Sequence, residues 1–253
     1  MVKNEKGVVL ILVIVLMVLA GILIFSSVTF IRESLNLAIV KQNQLKAINA
    51  AQCGIYKAVE DFKRRGYYNP ETNVLIWGNE YYTTGGGAAN YLQVDATVLK
   101  VEAGGKALRQ INLKNISGAS SMTITDVRLI WEPNAISENL TKISIGGADW
   151  LGSVNSGVLV PINYTLTAGS STSFRVQWDV VVTSKTITCE FLFSDGSTVT
   201  AYILKNGQTA ANSFTIKCTG SVVSNITWKR TIIAEYDVGT GKITSWNETN
   251  SHL

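Results

Sequence analysis

The chain has 253 residues, with 22 Lys and Arg against 18 Asp and Glu for a formal charge of +4, one histidine, three cysteines and three prolines. So small a surplus, with Lys63-Arg64-Arg65 as its densest basic cluster, excludes nucleic acid as a main partner. The lone histidine, His252, excludes histidine-based triads and multi-histidine metal sites, and no Asp-rich loop offers a calcium ligand set, so the chain reads as a non-enzyme with no cofactor and no small-molecule substrate.

Val8 to Phe25 is a run of eighteen residues without a charge or a strong hydrogen-bonding side chain. As a helix it spans roughly 27 Å, and with the mostly apolar 26–31 it covers the ~30 Å hydrocarbon core of a bilayer. Residues 8–31 therefore read as a transmembrane segment. Lys3 and Lys6 precede it, which places the N-terminus in the cytoplasm and Arg32 onward outside. The apolar run is too long for an ordinary secretory signal, and no A-x-A site follows it.

From Arg32 the pattern becomes that of an amphipathic helix. Ile48, Ala51, Ile55, Val59 and Phe62 recur at spacings of three and four, with Lys46, Asn49, Lys57, Glu60 and Lys63 between them. The basic triplet at 63–65 suits the negative end of a helix, and Gly66 suits a left-handed cap, so one helix is expected over 8–65, roughly 85 Å long. Its apolar stripe has to be covered by the domain that follows. A coiled-coil stalk fits less well, because Lys41, Gln42 and Gln52 interrupt any heptad seam.

Residues 66–90 read as loop with one strand at 74–77, and the triple glycine 85–87 reads as a flexible joint and not a phosphate loop, since no Lys-Ser/Thr follows. Strands are expected at 92–101, 107–116, 122–131, 141–145, 158–166, 173–183, 186–193 and 198–204. Alternation is plainest in Phe174, Val176, Trp178, Val180 and Val182, and Asp195-Gly196 has hairpin-turn chemistry. Eight strands in 91–205 with no helical period indicate an antiparallel β-sandwich of immunoglobulin-like architecture, although the Cys-Trp-Cys arrangement is absent. Further strands are expected at 214–218, 222–228, 231–236 and 242–246, the last turned by Asp237 to Gly241. The fold class is α+β: a long N-terminal helix, then antiparallel β structure.

Lys6-Gly7 directly before an unbroken apolar helix resembles the class III signal of type IV pilins and pseudopilins, in which a prepilin peptidase cuts after the glycine and methylates the new N-terminus. The resemblance implies a leader at 1–7, cleavage between Gly7 and Val8 and methylation of Val8. The continuation GVVLILVIVLMVLAGIL, running into LKAINAAQCGIYKAVEDF, is similar to PilX-like minor pilins and GspK-like pseudopilins over roughly the first quarter of the chain. Their AEAG-like stretch corresponds to Ala50-Ala51-Gln52-Cys53-Gly54. Major pilins carry a glutamate at the fifth residue after the cut, where this chain has Leu12. That lack is shared with PilX-like and GspK-like proteins and implies a minor, tip or priming subunit. The ending RTIIAEYDVGTGKITSWNE resembles the final strands of PilX-like pilins, so 66–90 and 206–253 are expected to form a pilin-like β-sheet head on the helix, with 91–205 inserted as the immunoglobulin-like sandwich.

The resemblance implies a structural subunit of a type IV pilus or a type II secretion-like filament. Its partners would be other pilins through the helix, the prepilin peptidase and, before assembly, the inner membrane, and the sandwich would serve adhesion or docking. The alternative is a single-pass membrane protein displaying an immunoglobulin-like binding module. Cys53, Cys189 and Cys218 allow one disulfide in an oxidising compartment, either Cys53 with Cys218 or Cys189 with Cys218, or all three are small buried hydrophobes.

Overall fold

An all-apolar run followed by an amphipathic one, with no proline in either, makes a single helix, α1, over Glu5–Arg65 in a computed structural model that describes residues 5–85, 87–135, 137–205, 208–209 and 212–249. Its end follows the capping chemistry of the sequence. Lys63, Arg64 and Arg65 occupy the last turn, Gly66 has φ of 76°, and the Gly66 N–H donates to the Phe62 carbonyl at 2.7 Å. The chain divides into two compact units, one ending at Leu45 and one running from Lys46 to Leu253.

Within the second unit the described residues hold sixteen strands: β1 (Val74–Trp77), β2 (Glu80–Thr84), β3 (Leu92–Asp95), β4 (Lys100–Glu102), β5 (Ala107–Asn115), β6 (Met122–Glu132), β7 (Leu140–Ile145), β8 (Ala148–Val154), β9 (Leu159–Leu166), β10 (Ser171–Trp178), β11 (Thr186–Phe193), β12 (Thr198–Lys205), β13 (Gln208–Thr209), β14 (Ser213–Val222), β15 (Trp228–Asp237) and β16 (Lys242–Thr249). An 11-stranded sheet runs β1-β2-β14-β3-β5-β10-β7-β8, with β15 and then β16 beyond β14 and β4 on β5; a 5-stranded sheet runs β13-β12-β11-β6-β9. All these pairings are antiparallel, so the α+β reading holds at this level.

Several boundaries differ from expectation. The run 92–101 is two strands, because the Asp95 carboxylate accepts from the Thr97 N–H and hydroxyl and turns the chain. The stretch 223–227 is a turn between β14 and β15 and not part of a strand. β10 ends at Trp178, short of residue 183. Gly85 and Gly87 are packed, not a loose joint: the Gly85 N–H donates to the Lys217 carbonyl, and a Cβ on Gly87 would lie 2.6 Å from Ser197 Cβ.

Segments 66–90 and 212–249 do meet, as β1, β2, β14, β15 and β16, and the sheet continues without a break into 91–205 through the Ser213↔Val94 and Val94↔Leu113 pairs. Two coverings act on opposite faces of it. Register puts Ile111, Phe174 and Ile145 on one face, and the Phe174 ring meets Phe191 of the smaller sheet edge-on at 5.5 Å. Trp131 and Trp178 make a second edge contact between the sheets at 5.9 Å. The other face, carrying Phe214, Ile216, Cys218 and Gly220 of β14, is covered by α1.

This second covering is a close backbone approach. Ala47, Ala51 and Ile55 of α1 are fully buried. A Cβ on Gly220 would lie 1.8 Å from the Ala47 carbonyl oxygen and 2.5 Å from the Ala51 nitrogen, and a Cβ on Gly54 would lie 2.4 Å from Cys218 Sγ. At the C-terminal end of the seam Phe62 meets Phe214 at 4.6 Å and Tyr236 at 6.0 Å. Burying Ile55 and Phe62 contributes roughly 2 kcal/mol each. Gly220→Ala is expected to cost about 3 kcal/mol or more, because the atom it strikes is helix backbone and no rotamer change relieves it. Denaturant unfolding of the full chain in detergent measures this; a loss under about 0.5 kcal/mol would refute the contact.

Candidate functional site

In the unit ending at Leu45, the apolar side chains from Leu10 onward are uncovered, including Leu12, Phe25 and Phe30. The helix contains an 18-residue window of mean hydropathy 3.0 with none of it buried, so one helix is long and apolar enough to cross a membrane. Two of its hydroxyls are satisfied internally: Ser27 Oγ donates to the Leu23 carbonyl at 2.8 Å and Thr29 Oγ1 to the Phe25 carbonyl at 2.9 Å. Back-bonding of this kind lets a polar side chain sit in a nonpolar surround without losing its partner. Gly7 and Val8 lie in the helical backbone, and their side chains fall outside the described residues, as do residues 1–4 and His252.

The cysteines are three free thiols, with Cys53 exposed and Cys189 and Cys218 buried. Cys218 is buried at the helix–sheet seam against Gly54 of α1, Cys53 is the exposed residue before that glycine, and Cys189 sits in β11 of the smaller sheet. Burial pushes the Cys218 thiol up to about 12, and the neighbouring Cys53 adds to the shift. Burial also raises Cys189 well above its ordinary value. Both stay protonated at neutral pH, and a thiol is a far weaker nucleophile than a thiolate. Beside Cys218 the Tyr82 hydroxyl donates to Glu71, which also pairs with Lys57 at 3.1 Å.

Sequence reasoning did not single out a buried polar network on the smaller sheet. Lys185 Nζ donates to Glu138 Oε1 and Oε2 at 2.8 and 2.7 Å and to the Pro133 carbonyl, and Trp131 Nε1 donates to Glu138 Oε2 at 3.1 Å. Hydrogen bonding from Lys185 holds the Glu138 carboxyl below its ordinary value. The Glu138–Lys185 spacing has no sequence signature, since the two meet only once β6 and β11 pair. Asp149 pairs with Lys142 at 2.5 Å, and Asp179 accepts from the Asn139 N–H at 2.8 Å. Among the described residues no three His, Cys, Asp or Glu side chains come together as a metal site.

A cleft of about 450 Å³ opens where the two sheets diverge, lined by Asn90, Thr198, Thr215, Lys217, Ile233 and the turn at 195–197. Its wall is fixed by a latch between the β11–β12 hairpin and the 3-10 turn at Ala88–Tyr91. The Ala88 N–H donates to Asp195 Oδ2 at 2.7 Å and the Ala89 N–H to Ser197 Oγ at 3.0 Å. Asp195 Oδ1 accepts from the Ser197 N–H and hydroxyl. Burial works to raise the Asp195 carboxyl, but these hydrogen bonds outweigh it and hold it below its ordinary value. The hydroxyls, amide, carboxylate and amine that line the cleft can hydrogen-bond to and orient a ligand.

Compared with known proteins, the chain matches no family model, no curated protein and no solved structure.

In the reduced, folded protein iodoacetamide is expected to label Cys53 and to spare Cys189 and Cys218 until unfolding; peptide mass spectrometry reads this directly. Glu138→Gln is expected to cost about 2 kcal/mol at neutral pH. The Glu138 contribution is present above the ordinary carboxylate value of 4.5 and is lost as the pH falls through the lowered folded value. The stability gap between parent and variant should therefore close on acidification, which thermal unfolding at a series of pH values would show.

Proposed function

We propose that this chain is a filament subunit of the pilin and pseudopilin type, of the minor PilX-like or GspK-like kind. One observation carries the reading: α1 is apolar from Leu10 to Ile31 with those side chains uncovered, then continues without interruption through Arg32–Leu45 into a stretch whose small residues are buried under a β-sheet. A membrane anchor alone has no need to extend into its own domain, whereas a subunit that leaves the bilayer to pack beside others needs both parts in one helix. The apolar part serves first in the inner membrane, with the N-terminus cytoplasmic and the β-rich unit outside, and then against neighbouring subunits in a pilus or pseudopilus.

Lys6-Gly7 before Val8 supports processing by a prepilin peptidase and methylation of Val8. Leu12, where major pilins have a glutamate, supports a tip or priming position. The residues 91–205, read as an immunoglobulin-like insert, would present the binding surface for adhesion or docking. The chain acts structurally and not as an enzyme. The uncovered helix equally favours a second reading, a single-pass membrane protein that stays in the bilayer and displays the β-rich unit.

N-terminal mass spectrometry of the mature protein, made in cells with and without a prepilin peptidase, separates the two. A methylated Val8 that disappears without the peptidase is the expected result. An intact Met1 or Val2 terminus in both cells would overturn the filament reading.

A further inference from the structure

The smaller sheet ends in an unfinished edge. β12 pairs with β11 along Thr198–Leu204, but on its other side it pairs only at Leu204 and Lys205, with β13. Because backbone groups alternate sides along a strand, and the Phe193 N–H to Ser197 carbonyl bond sets the phase that turns Val199 toward β11, Thr198 and Thr200 present backbone donors and acceptors with no neighbouring strand among the described residues. Such an edge is a template for one more strand.

This edge borders the cleft described above and its narrower continuation of about 240 Å³, which Asn90, Val199, Thr200 and Thr215 line. Register defines the floor. Ser213 pairs with Val94 and Val94 with Leu113, so Thr215 and Lys217, two and four residues along β14, share the face of the large sheet that carries Leu113 and Ile111. Further along, the smaller sheet covers that face. Over β14 and β15 it has run out, leaving Thr215, Lys217 and Ile233 uncovered by any strand.

The floor carries a lysine, Lys217, that makes no ion pair: among the described residues no carboxylate lies within ion-pair distance of it. Asp195, at the cleft wall, is taken up by the Ala88 N–H and by Ser197. Glu235, opposite Thr215, accepts from the Ser213 hydroxyl at 2.9 Å.

We propose that the cleft receives a short extended segment of a partner protein, which pairs with β12 at Thr198–Thr200 and places an Asp or Glu side chain on Lys217. An extended peptide supplies alternating N–H and C=O groups at the spacing the edge requires, and every second side chain faces the floor. Threonines at the edge, in place of larger apolar residues, keep it soluble while empty. The assignment stands whether or not the chain assembles into filaments, since it rests on the β-rich unit alone.

The test screens a display library of random nine-residue peptides against the full chain in detergent, with the selected peptides then synthesised. Enriched peptides should carry Asp or Glu between β-forming residues and should slow hydrogen exchange at the outward-facing Thr198 and Thr200 amides. Lys217→Glu should weaken binding by roughly tenfold or more, and Lys217→Arg should retain it. N-methylation of alternate peptide amides should abolish binding while methylation of the intervening ones does not, a readout that needs no variant of the protein. No enrichment, binding indifferent to Lys217→Glu, or protection confined to other amides would each overturn the proposal.

Discussion

A helix can lie flat on a sheet only as closely as the side chains between them permit, and here one position permits backbone contact. Gly220 meets the Ala47 carbonyl and the Ala51 nitrogen with no room for a methyl group. Near that point the seam is made of small residues, Ala47, Ala51 and Gly54, and it opens toward Phe62, Phe214 and Tyr236, where aromatic rings fill the wider gap. Each such contact is individually weak, but a graded wedge of this kind gains many of them at once and admits a single axial position.

β14 is the strand on which both functions of the sheet converge. Its burial alternates strictly over ten residues. One set of side chains, Phe214, Ile216 and Cys218, is committed to the helix, which leaves the other set, Thr215, Lys217 and Thr219, polar and on the opposite face, where Thr215 and Lys217 line the cleft. β14 also joins β2 and β15 to β3, so the helix-covered and sheet-covered parts of the molecule share one hydrogen-bonded framework. The cleft exists because the two coverings lie on opposite faces and the smaller sheet stops at β12.

The sequence made the helix legible because its two periodic patterns are strong and its end is marked three times over, by the basic triplet, by Gly66 and by the loss of period. β1 and β11 were legible to the residue, and the turns at Asp195-Gly196 and Asp237–Gly241 followed from their chemistry. β8 escaped because, as an edge strand with Leu151 exposed, it carries little alternation. β2 escaped because its Tyr and Thr residues sit among glycines and read as loop. Gly54 could be seen as part of a small-residue stretch, but the role of Gly220 depends on a partner 173 positions away in the chain at Ala47. The cleft was invisible for a related reason: threonine and lysine on a strand signal only an outward face, and nothing local reports that a second sheet ends beside them.

The glycine contact has a mechanical consequence. Tension applied along α1 reaches β14 as shear across a backbone-to-backbone fit, and the strand's hydrogen bonds to β15 and β2 are loaded together instead of one after another. A joint built in this way resists pulling far better than one that can peel open. The missing methyl group at position 220 is in effect a detent that stops the large sheet from slipping along the helical segment packed on it.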